Sequence, residues 1–393
     1  MPFVLPPQVL EADEISLVLA FGKLSVLEAC TVLGRVVTQA EAPCDRVSLL
    51  HVDHLPPKYV AELSGAHKCS PVTSILESTS GDIARLIDLM VANLEDKSNI
   101  SLSGYGIGED DYEDLVRSVL DGIRGAGLKK VRLLRPEGNE LLSERVLTRE
   151  ALDVIAFPYH DGFALGPTAW VPDSVAMKQR GTSKPSPHSD IALSPRLART
   201  LVNLAGLKPG QTLLDPFCGS GTILVEAYGK SLRCLGLDSR ASRVQETREN
   251  IRWSIGGVTD RGYDVRKGDA RDLKRMLRGT KVDAIVTEPL LLPRLDARPK
   301  TSTAEAMIGE SAQIYNDALA SMAESIHPEG RIVVVVPVIQ TMEGDEVTLT
   351  LEGRRLGLRL YQPGPVGFEY PVRLSFESTR WVRRAVYVFE PHS

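Results

Sequence analysis

A glycine turn between a short apolar strand and a helix carries the strongest chemical signal in this chain. The strand Thr212 to Leu214 ends at Asp215, the turn Gly219-Ser220-Gly221 follows, and an amphipathic helix begins at Thr222. Glycine permits positive φ angles and lets the backbone approach a ligand closely. The start of a helix also leaves N–H groups unpaired for an anionic group. The turn therefore predicts a ligand-binding loop.

A second carboxylate follows at the spacing of a nucleoside site. The next strand, Arg233 to Leu237, ends at Asp238. An acidic residue about twenty positions beyond such a turn binds ribose hydroxyls in nucleotide-binding folds. The Gly-x-Gly-x-x-Gly signature of dinucleotide sites and the complete Gly-x-x-x-x-Gly-Lys-Ser/Thr pattern of Walker loops are both absent from this region. The spacing thus predicts a nucleoside-containing cofactor of another kind.

The residues of the loop indicate which kind of cofactor it binds. The string from Asp215 to Thr222 resembles the first motif of S-adenosylmethionine-dependent amino-methyltransferases, which act on exocyclic nitrogens of nucleic-acid bases. The resemblance implies S-adenosylmethionine as the cofactor. Asp215 would hold the loop and the cofactor's amino group, Asp238 the ribose diol and Asp269 the adenine amine, with helix N-capping as the alternative for Asp269. The implied cofactor-binding set is Asp215, Pro216, Phe217, Gly219, Ser220, Gly221, Thr222, Asp238, Ser239, Asp269 and Ala270.

The end of the fourth strand departs from the pattern of these enzymes. They place Asp/Asn/Ser-Pro-Pro-aromatic there, where this chain has Thr287-Glu288-Pro289-Leu290. The resemblance implies these four as catalytic residues, with Thr287 or Glu288 accepting hydrogen bonds that orient the target amine. The aromatic ring that would stack on a flipped base is missing. Tyr315 is one candidate for that ring; a different substrate and a loss of catalysis are the other two explanations.

Composition predicts an ordinary globular chain. The 393 residues are 43% hydrophobic and 25% charged, with a net charge of −5, which suits two or three domains. No apolar run is long enough to span a bilayer. The five cysteines form no CxxC pair, so neither a metal ribbon nor a disulfide framework is indicated, and a reducing cytoplasm fits best. No His, Cys or carboxylate cluster has metal-ligand spacing. Pyrimidine C5 methylation is disfavoured because no cysteine lies near the fourth strand.

The charge is unevenly distributed. Residues 1–95 hold 12 acidic and 6 basic side chains, whereas 124–149 hold seven basic against three acidic and 178–199 hold five against one. The two basic windows are either solvated helix faces or a stripe that follows nucleic-acid phosphates. From the second reading we predict five RNA-binding side chains: Lys129, Lys130, Arg132, Arg180 and Lys184.

Alternating patterns predict α/β architecture throughout. Residues 1–94 contain predicted strands at 15–20 and 47–52 and helices at 24–33 and 82–93. A second unit has predicted strands at 100–104, 130–134 and 162–170 and helices at 111–125 and 148–153. A polar segment with three prolines is predicted as a linker, and Ser194-Pro195 begins a helix. Beyond it, strands ending at 215, 238, 268 and 287, with a fifth at 331–336, predict a doubly wound parallel sheet. The last strands, 367–377 and 381–390, should pair antiparallel.

Nearly the whole chain resembles the THUMP-containing RNA methyltransferases, and most closely the tRNA guanine-10 N2-methyltransferase family of archaea and eukaryotes. The similarity runs from Leu19–Glu28 through 95–172, Arg180…Lys184-Pro185 and 194–205 to the motif at 213–222. It implies a ferredoxin-like domain at 1–94, a THUMP-like RNA-binding domain at 95–172, a linker at 173–193 and a Rossmann-like class I methyltransferase domain at 194–393. Gly181 stands where the family has Asp, a second departure at the cleft.

The resemblance implies a cytoplasmic, monomeric enzyme that methylates the N2 amine of a guanine in tRNA without a metal or a membrane. Three alternatives stay open. The substrate could be another RNA, such as a cytosine N4 amine in rRNA. The protein could be a catalytically silent RNA-binding factor that keeps cofactor affinity. A DNA amino-methyltransferase is the third, disfavoured by the THUMP-like unit.

Overall fold

The computed structural model describes most of the chain, and the chain divides into two compact units. One unit is residues 1–175 with 363–366, and the other is 176–362 with 367–393. Both are mixed α/β. The residues that the structure describes are 4–6, 15–20, 22–34, 37–44, 46–52, 57–79, 81–136, 138, 140–186, 193–257, 262–289, 292, 295–364, 367–374 and 381–392.

The first sheet of the N-terminal unit is antiparallel, in the order β2-β3-β1-β4. Its elements are β1 (Ile15–Ala20), α1 (Gly22–Leu33), β2 (Val37–Cys44), β3 (Val47–Val52), α2 (Pro57–Val60) and β4 (Cys69–Pro71). Helix α1 buries Glu28, whose carboxylate accepts hydrogen bonds from the Ser64 backbone N (3.0 Å), the Ser64 hydroxyl (2.7 Å) and the Gly65 backbone N (2.6 Å). These bonds fix the chain before β4. The strands predicted at 15–20 and 47–52 are confirmed.

The second sheet of this unit has the order β5-β9-β8-β6-β7, with β6 parallel to β7 and β8. Its elements are β5 (Ser74–Leu76), α3 (Ala84–Val91), β6 (Asn99–Gly104), α4 (Glu109–Gly125), β7 (Arg132–Leu133), α5 (Ser143–Leu147), β8 (Leu152–Tyr159) and β9 (Gly162–Pro167). The helix predicted at 148–153 is wrong. Residues 152–157 are all buried as a strand, and Asp153 is held there by an ion pair with Lys68 (2.8 Å).

Helix α6 (Ser174–Thr182) occupies part of the segment that was predicted to be a linker. The prolines that suggested irregular structure, Pro185, Pro187 and Pro195, all follow the helix, so none interrupts it. Helix α7 (Pro195–Leu204) begins as predicted: the Ser194 hydroxyl accepts a hydrogen bond from the Leu197 backbone N (3.2 Å), and proline occupies the first turn. Serine capping followed by proline is a strong helix start because proline needs no N–H partner there.

The main sheet of the second unit has the order β12-β11-β10-β13-β14-β18-β16. Strands β10 to β14 are parallel, and β18 runs antiparallel to β14 and β16. The strands are β10 (Thr212–Asp215), β11 (Arg233–Asp238), β12 (Tyr263–Lys267), β13 (Val282–Thr287), β14 (Ile326–Gln340), β15 (Glu346–Thr348), β16 (Leu358–Leu360), β17 (Val372–Arg373) and β18 (Val382–Pro391). The helices are α8 (Thr222–Tyr228), α9 (Ala241–Ser254), α10 (Leu273–Met276) and α11 (Thr301–Ser325). The predicted parallel sheet and the antiparallel pairing of the last strands are confirmed.

This topology decides where a ligand can bind. The strand order runs outward from β10 to β12 on one side and from β13 to β14 on the other, so it reverses between β10 and β13. Open α/β sheets bind ligands outside the carboxyl ends of their strands at such a reversal. Asp215 and Thr287 are the last residues of these two strands. The fold thus brings the glycine turn and the Thr-Glu-Pro corner to the same edge.

Candidate functional site

The turn after β10 has the backbone that its sequence predicts. Gly219 and Gly221 have φ angles of +54° and +81°. A Cβ atom at Gly221 would lie 2.7 Å from the Thr247 methyl carbon, closer than real contacts allow. The turn is tied to the next strand as well, because the Cys218 backbone N donates to the Leu237 carbonyl (2.8 Å). The loop is therefore a tight cradle in which backbone, rather than side chains, forms the surface.

Two polar side chains of α9 hold this turn from behind. The Thr247 hydroxyl donates to the Gly219 carbonyl (2.7 Å), and the Asn250 amide donates to the Ser220 carbonyl (2.8 Å). Both side chains are fully buried. The sequence reasoning missed them. Their spacing of three places them on one helix face, and this spacing was the available signal.

Two carboxylates, Asp238 and Asp215, border the cradle. Asp238 accepts from the Gly219 backbone N (3.1 Å) and from the Arg240 backbone N (2.9 Å). Asp215 accepts from the Phe217 backbone N (3.1 Å) and from the Thr287 hydroxyl (2.7 Å). Burial raises the pKa of Asp215 to about 7, against the lowering effect of these two bonds. The predicted partners Asp215, Asp238 and the turn thus come together at one edge.

The third strand end is arranged as the capping alternative predicted. Asp269 accepts from the Arg271 backbone N (2.9 Å), caps the 3-10 turn Ala270–Asp272, and forms an ion pair with the Arg271 guanidinium (2.6 Å). The hydrogen bond to Arg271 lowers the pKa of Asp269. Ala270 is buried and Ser239 is exposed. Adenine recognition by Asp269 stays a prediction.

Lys184 lies inside the site rather than on an exposed phosphate-binding surface. Its ammonium donates to the hydroxyls of Thr222 (2.9 Å) and Ser220 (3.4 Å), and the residue is only 5% exposed. Burial lowers the pKa of Lys184. No described carboxylate pairs with it. Because Lys184 is almost completely buried, we assign it to the cradle rather than to the predicted RNA-binding set.

Arg180, the other predicted RNA contact of this unit, has an internal partner. Its guanidinium pairs with Glu226 of α8 (2.7 Å), and Arg199 of α7 pairs with the same carboxylate (2.9 Å). Glu226 is 1% exposed. This pairing joins three helices behind the cradle, so the structure indicates a supporting role for Arg180 that the sequence did not predict.

Two side chains of the Thr-Glu-Pro corner form contacts within the protein. Thr287 is fully buried and its hydroxyl donates to Asp215, as described above. Glu288 forms an ion pair with Arg384 of β18. Pro289 is buried, and Leu290 lies outside the described residues. The sequence reasoning missed Arg384, which is buried in strand Val382–Pro391. The available signal was an arginine inside a largely apolar strand.

Tyr315 does not supply the missing stacking ring. It is 2% exposed and belongs to the hydrophobic core between α11 and the sheet. Burial raises the pKa of its hydroxyl, with Glu288 a smaller contributor in the same direction. The ring is therefore a core element behind Glu288, and its surface is not available to a base.

The remaining predicted RNA contacts lie in the N-terminal unit. Lys129, Lys130 and Arg132 are exposed where α4 connects to β7. The Lys130 ammonium lies 3.6 Å from Asp96, an exposed pair that costs little to break. These three side chains can reach an anionic partner in solution.

Several other site types find no support in the described part of the chain. It holds no cluster of three or more metal-ligating side chains. None of its helices is both long and apolar enough to cross a bilayer. Burial raises the pKa of the Cys218 and Cys234 thiols, so neither is a reactive thiolate beside the site.

Comparison with known families assigns the central part of the chain. Residues 187–344 match the family described as RMKL-like, methyltransferase domain. The matched segment contains the cradle, Asp238 and the Thr-Glu-Pro corner, so this part of the chain is similar to the methyltransferase domain of that family.

Two curated relatives carry the same name. The tRNA (guanine(10)-N2)-dimethyltransferase of Methanothermobacter thermautotrophicus is 38% identical over 146 residues, which cover 37% of this chain and 39% of that protein. The tRNA (guanine(10)-N2)-dimethyltransferase of Pyrococcus abyssi is 34% identical over 172 residues, 44% of this chain and 46% of that protein. The match spans less than half of either relative's length.

Solved structures agree with the fold. TrmN from Thermus thermophilus superposes with a TM-score of 0.53 and 18% identity, covering 96% of this chain and 99% of that one. SMU.472, a putative methyltransferase complexed with SAH, gives a TM-score of 0.50 and 11% identity, covering 97% of this chain and 99% of that one. At such low identity the similarity establishes the α/β, Rossmann-like fold and no more.

Proposed function

We propose that this protein transfers a methyl group from S-adenosylmethionine to the N2 amine of a guanine in tRNA. One observation carries the proposal: the glycine cradle, Asp238 and the Glu288 corner meet at the strand-order reversal of a methyltransferase domain. The curated relatives, named as tRNA guanine-N2 dimethyltransferases, supply the base and the RNA class.

The residues around the cradle suit this cofactor. A side chain at Gly221 would collide with the Thr247 methyl group, so glycine keeps the turn packed tightly against α9. The buried Lys184 ammonium complements a carboxylate, such as that of the methionine part, because a buried cation is stable only with an anionic or strongly polar partner. Asp238 can accept hydrogen bonds from a ribose diol. SMU.472 is a related fold that binds the demethylated product, SAH.

The chemistry asks little of the protein beyond positioning. When bound, S-adenosylmethionine supplies a methyl group on a positively charged sulfur. Held by the cradle, Asp238 and Lys184, the cofactor would supply this methyl group to N2 and leave as a neutral thioether, and the proton displaced from the amine would pass to solvent. Glu288 accepts a hydrogen bond from the amine and thereby directs the lone pair of the nitrogen toward the methyl group. The ion pair with Arg384 holds that carboxylate in one place.

The N-terminal unit would bind the tRNA. We propose the family's arrangement for it: a ferredoxin-like domain at 1–94 and a THUMP-like domain at 95–172, followed by a connecting segment at 173–193 and the methyltransferase domain at 194–393. The exposed Lys129, Lys130 and Arg132 supply phosphate contacts, which need only accessible positive charge. A monomer acting in the cytoplasm completes the proposal.

Two substitutions separate catalysis from cofactor binding. We expect Glu288→Ala to lower methyl transfer to unmodified tRNA by about 100-fold or more, an effect typical of lost amine orientation, while the calorimetric Kd for S-adenosylmethionine stays within about twofold. Asp238→Ala should instead weaken the Kd by about tenfold or more, because two backbone N–H groups and the ribose lose their acceptor. Glu329→Ala, at an exposed position of the same unit, is the control.

The result also separates the enzyme from its rivals. The assay follows a radiolabelled methyl group. Its transfer to tRNA supports the proposal, provided that Glu288→Ala loses methyl transfer and Asp238→Ala loses cofactor affinity. Cofactor binding with no label in any RNA would instead identify a silent RNA-binding factor. Label in rRNA alone would identify a different substrate.

A further inference from the structure

The register of the sheet brings an arginine to the carboxylate of the catalytic corner. Thr287, the end of β13, lies opposite Val334 of β14, and Arg384 of β18 lies opposite Pro337. Arg384 therefore lies three register positions along β14 beyond the end of β13. There its guanidinium forms an ion pair with Glu288, and their side chains are 6% and 12% exposed.

This pair determines what Glu288 can offer to a substrate. An arginine keeps its charge at any physiological pH and its planar guanidinium holds a carboxylate in a fixed orientation. Glu288 is consequently an ionised group that accepts hydrogen bonds and donates none. A carboxylate has about four lone-pair positions, so several donors can share it.

The neighbouring polar groups do not share this role. The Thr287 hydroxyl donates to Asp215, and both residues are at most 1% exposed. Among the described side chains at the end of β13, Glu288 is the carboxylate that keeps some exposure, at 12% of its side chain. Selection of the base by this corner therefore depends on Glu288.

The amine-bearing bases differ in what lies beside the amine. In guanine, the ring N1–H beside the N2 amine is a second donor. In adenine and cytosine, the ring nitrogen beside the amine is an acceptor, which a fixed carboxylate repels. Enzymes that act on flipped bases read them through hydrogen bonds to this edge. An acceptor-only group thus suits guanine and opposes the other two bases.

We propose that Arg384 keeps Glu288 as an acceptor-only group and that this pair selects guanine among the amine-bearing bases. The inference rests on the proposed function, since it assigns the base preference of the same site. Glu288 reads the donor pair formed by N1–H and the N2 amine. Arg384 is a positioning residue that acts through Glu288.

A base analogue tests the inference without any variant. 2-Aminopurine keeps the amine at C2 but has an acceptor at N1. Two tRNAs are assembled by ligation, with guanine or 2-aminopurine at the methylated position, and kcat/KM is measured for each with the full-length protein. We expect the wild-type protein to favour guanine by about 100-fold or more, because a polar group left facing another acceptor is strongly rejected.

Substitution of Glu288 should then reverse part of the preference. Glu288→Gln places one acceptor and one donor at the corner, which matches 2-aminopurine. We expect the guanine to 2-aminopurine ratio to fall by about 100-fold. Arg384→Met should lower guanine methylation and move the acid limb of its pH–rate profile to higher pH, with partial rescue by Arg384→Lys. Arg383→Met is the matched control, since Arg383 is the next residue and pairs with Glu346 (3.7 Å) instead.

The outcomes are distinguishable. Equal use of the two tRNAs by the wild-type protein, or an unchanged ratio in Glu288→Gln, would overturn the inference while methyl transfer to guanine keeps the proposed function. If the acid limb of the pH–rate profile does not move in Arg384→Met, Arg384 does not act through Glu288. Absence of transfer to either tRNA by the wild-type protein would defeat the proposed function, and the inference with it.

Discussion

Buried charges occur in both units of the protein, and their partners differ. In the N-terminal unit, Lys68 and Asp153 are both fully buried and form an ion pair at 2.8 Å, and the hydroxyls of Ser103 and Thr168 complete the hydrogen bonds of Asp153. In the second unit, the buried Lys184 meets only hydroxyls.

The difference separates a structural cluster from a binding site. A buried charge costs several kcal/mol unless a partner compensates it. The Lys68 cluster compensates itself, so its groups have no capacity left for a ligand. Lys184 has no opposite charge among the described residues and is supported by hydroxyl groups. A buried charge supported in this way is suited to an anion that arrives from outside.

The largest expected effect is in the self-compensated cluster. Lys68→Met should lower the free energy of unfolding by about 3–5 kcal/mol, because it leaves the Asp153 carboxylate buried without its cation. Lys68→Met with Asp153→Asn should recover most of that loss. Urea denaturation measures both. A double variant no more stable than the single one would contradict the structural reading of this cluster.

The second prediction concerns the pH dependence of Asp215. Its pKa is raised to about 7 in the folded protein by burial, from an ordinary value of 3.8, so the folded state holds a proton that the unfolded state releases. Its stabilising contribution is complete below about pH 4 and is lost as the pH rises through 7. The stability difference between wild type and Asp215→Asn should therefore fall by about 1.4 kcal/mol per pH unit over that range.

Denaturation of both proteins at pH 5, 6, 7 and 8 measures this difference, and subtraction cancels the titration of groups that they share. The difference should level off above pH 7. Parallel stability profiles across the whole range would show that Asp215 is not protonated in the folded state.

The third prediction compares the substitution of Lys184 with the substitution of Lys68. Lys184→Met should weaken S-adenosylmethionine binding by about 10- to 100-fold, the size of a lost charge-assisted contact. Unlike Lys68→Met, it should leave the stability of the unliganded protein unchanged or raised, because no buried carboxylate loses its partner. Calorimetry and urea denaturation report the two quantities. Lys178→Met, an exposed lysine of α6, is the control, and a Lys184→Met protein with full affinity would remove this residue from the site.

The smallest effect distinguishes two glycines with the same φ angle. Gly221 and Gly257 both have φ of +81°, but a Cβ at Gly257 meets nothing within 4 Å. Both alanine variants bear the cost of a left-handed conformation, about 1–2 kcal/mol. Gly221→Ala should cost about 1 kcal/mol more, through its clash with Thr247, and should also weaken cofactor binding. Equal costs and equal affinities would mean that the cradle adapts.

Local features were predictable wherever the chemistry of neighbouring residues determines the backbone. The cradle followed from Gly219 and Gly221, and the start of α7 from Ser194-Pro195, since positive φ and helix capping depend on adjacent residues. The helix predicted at 148–153 failed because burial with Lys68 decides the structure of Asp153. A helix, α6, lies inside the segment predicted as a linker, because the prolines lie beyond the helix rather than in it.

By itself, the sequence determined the turn, the carboxylates at the strand ends and the parallel direction of the strands, which places those carboxylates on one edge. Only the tertiary structure decided which side chains meet: Glu288 with Arg384, Thr287 with Asp215, and Lys184 with Thr222. The physical reason is that a turn depends on the φ angles of a few adjacent residues, whereas these pairs are 38 to 96 residues apart. Their contact depends on strand order and register, which the packing of the whole sheet determines.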